Sequence, residues 1–168
     1  MLPLEKTLSL LEISGKQQIL DLGAGVGYFT IPAAQKTDGT VYALDIERKM
    51  LEVLQQRVTA NGLKNVECIE GPIEQVPMKD ESVDHIIASM VLHEINPLAK
   101  GLEEIKRLLK PGGKCLCMEW EKVKTEQGPP LHHRISSDFL KKKLEQKGFK
   151  NVNVSFPAEA VYTIVFEK

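Results

Sequence analysis

Three glycines at alternate positions form the pattern in this chain that points most directly to a bound ligand. Gly23, Gly25 and Gly27 follow an apolar run in the stretch ILDLGAGVGYFT, residues 19–30. Glycine lets the backbone approach a ligand closely, and a helix that follows directs its N-terminal N–H groups toward that ligand. One glycine could serve only the packing of a helix on a strand. Three at this spacing favour a ligand-binding turn.

The spacing distinguishes between nucleotide ligands. The dinucleotide fingerprint is G-x-G-x-x-G, whereas here Tyr28 stands where the last glycine would be. No G-K-[ST] follows, which excludes a P-loop. Asp45 ends the next predicted strand, where an acid commonly binds ribose hydroxyls. A ligand with a ribose but no pyrophosphate is therefore expected. The structural alternative for Asp45 is a capping or first-turn acid beside Glu47 and Arg48.

Strand and helix periods alternate along the chain and must position these residues. Helices are predicted at residues 4–12, 26–36 and 48–62, from Pro97 with Asn96 as its N-cap up to KPGG, and from Ser136 or Ser137 to Gly148. The predicted strands are QQILDLG, TVYALDI, NVECIEG, VDHIIASMVL, KCLCMEW, NVNVSFP and VYTIVFEK. This order predicts an α/β fold in one domain over residues 1–168. The expected sheet is Rossmann-like, doubly wound, mostly parallel and seven-stranded, with a C-terminal antiparallel hairpin and helices on both faces.

The motifs resemble those of the class I S-adenosylmethionine-dependent methyltransferases. ILDLGAGVGYFT is similar to their first motif and VYALDIERKML to the segment after it. GPIEQVPMKDESVDHIIASMVLHEI resembles their loop and fourth strand, and LLKPGGKCLCMEW their turn and fifth strand. The small-molecule branch of the ubiquinone and menaquinone biosynthesis type is the most similar. The resemblance covers most of the chain and is specific for the superfamily, not for a substrate.

The resemblance implies S-adenosylmethionine as cofactor and a set of residues around it. The glycine turn and Asp21 would line its methionine and ribose, Asp45 would bind the ribose hydroxyls, and Ile46 would pack on the adenine. Many relatives carry an acid near the position of Pro72 that binds the adenine amino group, so here backbone groups are expected to recognise adenine. The full set is Asp21, Gly23, Ala24, Gly25, Gly27, Asp45, Ile46, Gly71, Pro72, Ile73, Ser89 and Met90.

Methyl transfer from a sulfonium is an in-line displacement, for which the protein supplies alignment and a dry site. A general base is needed only if the acceptor keeps its proton until attack. The candidate catalytic residues are His93, Glu119 and His132. His93 could be a base or orient the substrate, or it could only hydrogen-bond its loop. Glu119 could face an acceptor amine or be an exposed loop acid. His132 could enter the pocket; its neighbour His133 should point elsewhere, so no metal is expected.

Composition limits the partners. The 168 residues carry a formal net charge of −1 and no basic block, which argues against nucleic acid. No run is long enough to cross a membrane, and the N-terminus does not resemble a signal peptide, so a cytoplasmic protein is expected. Cys68, Cys115 and Cys117 are expected to be buried thiols without metal or redox chemistry.

Together these patterns predict a methyltransferase that acts on a small-molecule acceptor. The alternative is a cofactor-binding partner subunit or sensor without catalysis of its own. A nicotinamide oxidoreductase would share the fold but not the glycine spacing. Eighteen residues precede Ile19, fewer than in relatives. The site is therefore expected to be open, to be closed by a second subunit in a homodimer, or to take a large acceptor.

Overall fold

The computed structural model describes residues 4–168. Its seven strands form one sheet in the order β3-β2-β1-β4-β5-β7-β6. The strands are β1 (Ile19–Leu22), β2 (Val41–Asp45), β3 (Val66–Glu70), β4 (Val83–Ser89), β5 (Leu109–Trp120), β6 (Lys150–Ala158) and β7 (Val161–Glu167). The helices are α1 (Leu4–Ser9), α2 (Thr30–Ala34), α3 (Arg48–Ala60), α4 (Leu98–Leu108) and α5 (Ser137–Gln146).

The direction of the strands confirms the predicted architecture. Strands β1 to β5 run parallel to one another, and β7 is antiparallel to both β5 and β6. The chain proceeds from β1 toward β3 on one side and from β4 toward β5 on the other. The strand order thus reverses between β1 and β4, and doubly wound sheets bind ligands at the carboxyl ends of the strands beside such a point.

Helices cover both faces of the sheet. Alternate residues of a strand point to opposite faces, and Leu20 and Ile86 pack with α4 and α5 on one face. Ile19 and Ile87 pack with α1 and α2 on the other. Cys115 and Cys117 are free and buried in β5, which confirms the predicted burial of these two thiols, whereas Cys68 is only half-buried. None of the helices in residues 4–168 has the length and apolar character needed to cross a membrane.

Helix α2 begins four residues later than predicted, at Thr30 instead of residue 26. The reason is the glycine turn before it, in which Gly25 and Gly27 have φ of +53° and +89°. A right-handed helix cannot pass through that conformation. Helix α1 is also shorter than predicted, ending at Ser9.

The predicted start of α4 and the predicted start of β5 were wrong, whereas α4 does end just before KPGG. Pro97 is not the first helical residue: it has extended backbone angles at the N-cap position, after a cis peptide bond with Asn96. At the other end the chain passes from Leu108 directly into β5, so that KPGG lies in the irregular start of that strand. Ser136 caps α5, as one of the two predicted alternatives, by accepting a hydrogen bond from the Phe139 N–H at 3.3 Å.

Candidate cofactor and catalytic site

A cleft of about 310 Å³ lies at the carboxyl ends of the strands. It occupies the point where the strand order reverses, as the topology requires. The residues that line it are Gly23, Asp45, Ile46, Gly71, Pro72, Ile73, Glu74, Met90, Val91, Glu94 and Ile95. Most of the residues that sequence predicts around ribose and adenine therefore come together here. The predicted residues Asp21, Ala24, Gly25, Gly27 and Ser89 are not part of this lining.

The three glycines of the turn have different surroundings. A Cβ atom on Gly23 would lie 2.5 Å from Val91 Cγ2, so its absence lets the ends of β1 and β4 approach each other. A Cβ on Gly27 would lie 2.2 Å from Leu54 Cδ1, which means that Gly27 permits α3 to pack. A Cβ on Gly25 would meet no protein atom within 4 Å. Only Gly25 faces open space.

Asp45 joins the glycine turn to the start of α3. Its Oδ2 accepts a hydrogen bond from the Gly25 N–H at 2.8 Å, and its Oδ1 accepts one from the Glu47 N–H at 2.9 Å. The N-cap of α3 is Glu47, so Asp45 does not cap the helix, as its alternative role required; it holds the Glu47 N–H and also lines the cleft. A carboxylate offers about four acceptor sites, so that two remain for a pair of ribose hydroxyls.

Asp21 lies below the turn and is 2% exposed. The Thr30 hydroxyl donates to its Oδ2 at 2.6 Å, which ties β1 to α2. Burial raises the pKa of Asp21 to about 7; the Thr30 hydrogen bond opposes this shift and the nearby Asp45 charge adds to it. Together with Ala24, whose N–H donates to the Leu44 carbonyl at 2.9 Å, Asp21 supports the turn from the protein interior.

Glu119 lies inside β5 and is only 1% exposed, so the alternative of an exposed loop acid is wrong. Its Oε1 accepts a hydrogen bond from the Leu92 N–H at 2.7 Å, and its Oε2 accepts one from His93 Nδ1 at 2.7 Å. The side chain alternation of β5 turns Glu119 toward the segment after β4. One buried carboxylate thus holds both the backbone and the imidazole of that segment.

His93 is not among the lining residues, but it directly precedes Glu94, which is. The hydrogen bond to Glu119 raises the pKa of His93 above its ordinary value; partial burial opposes this shift, and the charges of Glu119 and Glu94 add to it. His93 Nε2 lies 3.9 Å from Glu94 Oε1, and Glu94 lines the cleft. Since Nδ1 is bonded to Glu119, Nε2 is the nitrogen that can exchange a proton with a ligand.

Arg134 was not identified from the sequence, although it organises the loop after β5. It is 5% exposed, and all five guanidinium N–H groups are used within this loop. They donate to the Pro129, Glu121, Val123 and Gln127 carbonyls and to the Thr125 hydroxyl, at 2.7–3.4 Å. The guanidinium also lies 5.2 Å from the Trp120 ring centroid. No sequence pattern indicates this role, because it depends on where the loop folds back.

None of the three candidate catalytic residues, His93, Glu119 and His132, is among the residues that line the cleft. His132 is exposed in a short turn, and its ring contacts that of His133 edge-to-face at a centroid distance of 4.3 Å. Glu121 accepts hydrogen bonds from the Ser137 N–H and hydroxyl, the latter at 2.6 Å, and so holds the start of α5. Within residues 4–168, no group of three or more His, Cys, Asp or Glu side chains could hold a metal ion.

Residues 20–117 match the methyltransferase domain family. Demethylmenaquinone methyltransferases are similar in sequence: that of Bacillus mycoides is 33% identical over 117 residues, and that of Geobacillus stearothermophilus 36% over 105 residues. These alignments cover 68% and 61% of this chain, and 49% and 45% of the relatives. The chain thus spans about half the length of these curated relatives.

Solved methyltransferase structures are similar to this chain over more of its length than the sequence relatives are. A SAM-dependent methyltransferase from Aquifex aeolicus superposes with a TM-score of 0.90 at 28% identity, covering 98% of this chain and 89% of its own. Phosphoethanolamine N-methyltransferase 2 from Haemonchus contortus, solved with S-adenosyl-L-methionine, has a TM-score of 0.81 at 16% identity and covers 98% and 52%. The second likeness shows the fold alone. From the family match, the cleft and the Aquifex likeness together, the chain belongs to the methyltransferase domain family, with S-adenosylmethionine as its cofactor.

Proposed function

We propose that this chain transfers the methyl group of S-adenosylmethionine to a small-molecule acceptor. The observation that carries the proposal is the cleft itself, which joins Asp45 and Gly23 to Met90 and Glu94 at the point where the strand order reverses. Such a cleft can hold a nucleoside at one end and a reactive sulfonium at the other. The formal net charge of −1 favours a small acceptor over a nucleic acid.

We assign the cofactor to one side and the acceptor to the other. The cofactor side consists of the glycine turn, Asp45 and residues 71–74. Asp45 binds the ribose hydroxyls with the acceptor sites that its two backbone partners leave free, and Ile46, which is 70% exposed, covers the adenine. When a ring covers a large apolar side chain at the edge of a cleft, apolar surface is removed from water, which favours binding. Met90 lies near the sulfonium.

The acceptor side consists of residues 90–95 and Glu119. His93 is the base for an acceptor that keeps its proton until attack, and Glu119 is a positioning residue that orients the imidazole. In the neutral ring the proton lies on Nδ1, facing Glu119, so that Nε2 can take a proton from an acceptor hydroxyl or carbon acid. The chain would otherwise contribute only alignment and exclusion of water.

The relatives named demethylmenaquinone methyltransferases make a naphthoquinol the first acceptor to test. Purified protein would be incubated with methyl-labelled S-adenosylmethionine and 2-prenyl-1,4-naphthoquinol, with His93→Ala in parallel. Label in the quinol with wild type, at least about tenfold less with the variant, supports both assignments. Cofactor binding without transfer to this quinol or to a panel of phenols and amines would instead favour a cofactor-binding subunit or sensor.

Two further assignments concern the localisation of the protein and its oligomeric state. We place the protein in the cytoplasm, because its two buried cysteines, with Sγ atoms 3.9 Å apart, are both free thiols. A homodimer that closes the cleft is tested by sedimentation with and without S-adenosylhomocysteine. A monomer under both conditions would remove the second subunit from the account.

A further inference from the structure

Four large apolar side chains are exposed around the loop that connects β5 to α5. They are Val123, Leu131, Phe139 and Phe156, each between 38% and 59% exposed, and we call them the apolar rim. The first two lie in the loop, the third in the first turn of α5 and the fourth near the end of β6. Single exposed apolar residues are common, but several around one loop indicate a surface that a partner covers.

Arg134 holds this loop from the inside. Its guanidinium donates to the Val123 carbonyl at 2.7 Å, and its backbone N–H donates to the Leu131 carbonyl at 3.3 Å. The fold thus fixes a loop that does not line the cleft and that exposes two members of the apolar rim. A loop that is ordered in advance binds a partner at a lower entropic cost.

The other two members of the apolar rim are connected to the same loop. The Tyr162 hydroxyl donates to the Ile135 carbonyl at 2.9 Å, and the Phe156 ring lies edge-to-face on Tyr162 at a centroid distance of 6.5 Å. The Ser136 hydroxyl accepts the Phe139 N–H at 3.3 Å. Hydrogen bonds and ring contacts therefore hold all four side chains around one scaffold.

The apolar rim lies at the same edge of the sheet as the cleft. Trp120 at the end of β5 pairs with Val161, and Val161 pairs with Ala158 at the end of β6. Phe156 is two residues from that end. Glu119, the neighbour of Trp120, accepts a backbone N–H from the segment after β4, part of which lines the cleft. A partner on the apolar rim would therefore lie beside the acceptor side.

Five lysines flank the apolar rim in sequence. They are Lys122, Lys124, Lys141, Lys142 and Lys143. None of the five forms an ion pair within residues 4–168. Residues 121–143 contain six Lys and Arg against three Asp and Glu, whereas the whole chain has a formal net charge of −1. The segment that carries most of the apolar rim is therefore positively charged and suits an anionic partner.

We propose that the apolar rim and these five lysines form a docking face for an anionic phospholipid bilayer. The apolar side chains enter the headgroup region, and the ammonium groups contact the lipid phosphates. Lysine suits this arrangement, because its stem extends along apolar surface while its charge stays in water. A nucleic acid would use the lysines but leave the aliphatic Val123 and Leu131 in water. This docking requires no methyl transfer and so goes beyond the proposed function.

The test is flotation of the intact chain with vesicles of phosphatidylcholine alone or with about 30% phosphatidylglycerol. Wild type should bind the anionic vesicles at least about tenfold more tightly, and more weakly as salt is added. Replacing Lys141, Lys142 and Lys143 together by Gln should weaken this binding at least about tenfold. The double variant Leu131→Ser/Phe156→Ser should weaken it at least about fivefold.

Matched controls change residues of the same types elsewhere on the surface. One replaces the exposed Lys16, Lys49 and Lys64 together by Gln, and the other is Leu10→Ser/Val53→Ser, at two exposed apolar positions. Both should bind vesicles like wild type, and circular dichroism checks the fold of each variant. Equal losses in controls and variants would overturn the docking face.

Three further outcomes would also contradict the proposal. Absence of wild-type binding to either vesicle would remove the docking face and leave the proposed function standing, since cofactor binding is measured separately. Loss in the lysine variant alone would mean adsorption by charge without the apolar rim. Tighter binding to a DNA duplex than to anionic vesicles would identify the face as a nucleic-acid site.

Discussion

The side of the cleft that we assign to the cofactor is built around a backbone turn, whereas the side that we assign to the acceptor is held by a buried side chain. On the cofactor side Gly25 leaves open space, while the Gly25 and Gly27 N–H groups donate to Asp45 and to the Ala24 carbonyl. Asp45 also accepts the Glu47 N–H just before α3. On the acceptor side a single carboxylate, Glu119, holds a backbone N–H and an imidazole. The first arrangement suits a ligand common to many enzymes, and the second can change with the acceptor while the fold stays the same.

The largest effect is expected from exchanging glycines within the turn. Gly27→Val would place a branched side chain against Leu54 at a φ of +89°, and overpacking together with strained backbone should cost about 3–5 kcal/mol of unfolding free energy. Gly25→Val places its Cβ in open space but at a φ of +53°, so it should stay folded at a cost of about 1–3 kcal/mol of unfolding free energy. It should lose cofactor binding by more than about a hundredfold, because the side chain occupies the space assigned to the ligand. Chemical denaturation and calorimetry separate the two.

A double variant sharpens that assignment. Leu54→Ala opens space next to Gly27, so that Gly27→Ala should destabilise the protein less in the Leu54→Ala background than in wild type. Additive losses would contradict a packing role for Gly27. Normal cofactor binding by a folded Gly25→Val variant would place the ligand elsewhere.

The acceptor side predicts loss of catalysis without loss of cofactor binding. Glu119→Gln keeps the side chain volume but removes the charge that orients and favours protonation of His93. Methyl transfer should fall by about 10²-fold, while the dissociation constant of S-adenosylhomocysteine changes by less than about threefold. His93→Ala should not add to that loss, because the two residues act as one unit. Transfer at the wild-type rate in Glu119→Gln would remove this pair from the mechanism.

For the cofactor side we expect the opposite result, namely weaker cofactor binding without a change in the Michaelis constant for the acceptor. Asp45→Ala removes the ribose acceptor and the link to Gly25, and should weaken cofactor binding by about 1–3 kcal/mol, the usual cost of unpaired polar groups. With cofactor in excess, the Michaelis constant for the acceptor should stay as in wild type. An unchanged cofactor affinity would show that Asp45 only holds the Gly25 and Glu47 backbone in place.

The pH dependence of transfer follows from His93. A base must be neutral, and Glu119 raises the pKa of His93, so the rate should rise with pH through a midpoint above the ordinary histidine value. Removal of the Glu119 charge should move that midpoint to lower pH. The measurement is the transfer rate under subsaturating acceptor from pH 5 to about 9 for wild type and Glu119→Gln. A midpoint that does not move would indicate another titrating group.

The smallest functional effect is expected at Arg134. Arg134→Lys cannot reproduce five directed N–H bonds, so amide exchange in residues 122–128 should accelerate at least about tenfold. The emission of Trp120, the single tryptophan, should change as the stacked guanidinium is lost. Cofactor affinity should stay within about twofold of wild type, since the loop does not line the cleft. Slow exchange in the variant would mean that other contacts hold the loop.

The sequence predicted which residues line the cleft better than it predicted the surroundings of Glu119 and Arg134, for a physical reason. A tight turn requires glycines at a fixed spacing, and the acid follows at the end of the next strand. Both requirements are visible in the order of the residues. Whether Glu119 points inward or outward depends on the exact end of β5, which the sequence pattern located only approximately. The bonds of Arg134 depend on a loop that folds back on itself, and Glu74 enters the cleft because of a turn with no period of its own. Boundaries failed where backbone geometry was unusual, as at Pro97 and KPGG.

Calorimetric titration of S-adenosylhomocysteine into the wild-type chain, with NADH as the control ligand, tests the central claim most directly. The account predicts one site per chain with micromolar affinity for S-adenosylhomocysteine and no detectable heat with NADH, because the turn departs from the dinucleotide spacing. Equal binding of both ligands, or binding of NADH alone, would contradict the assignment of the cleft to S-adenosylmethionine.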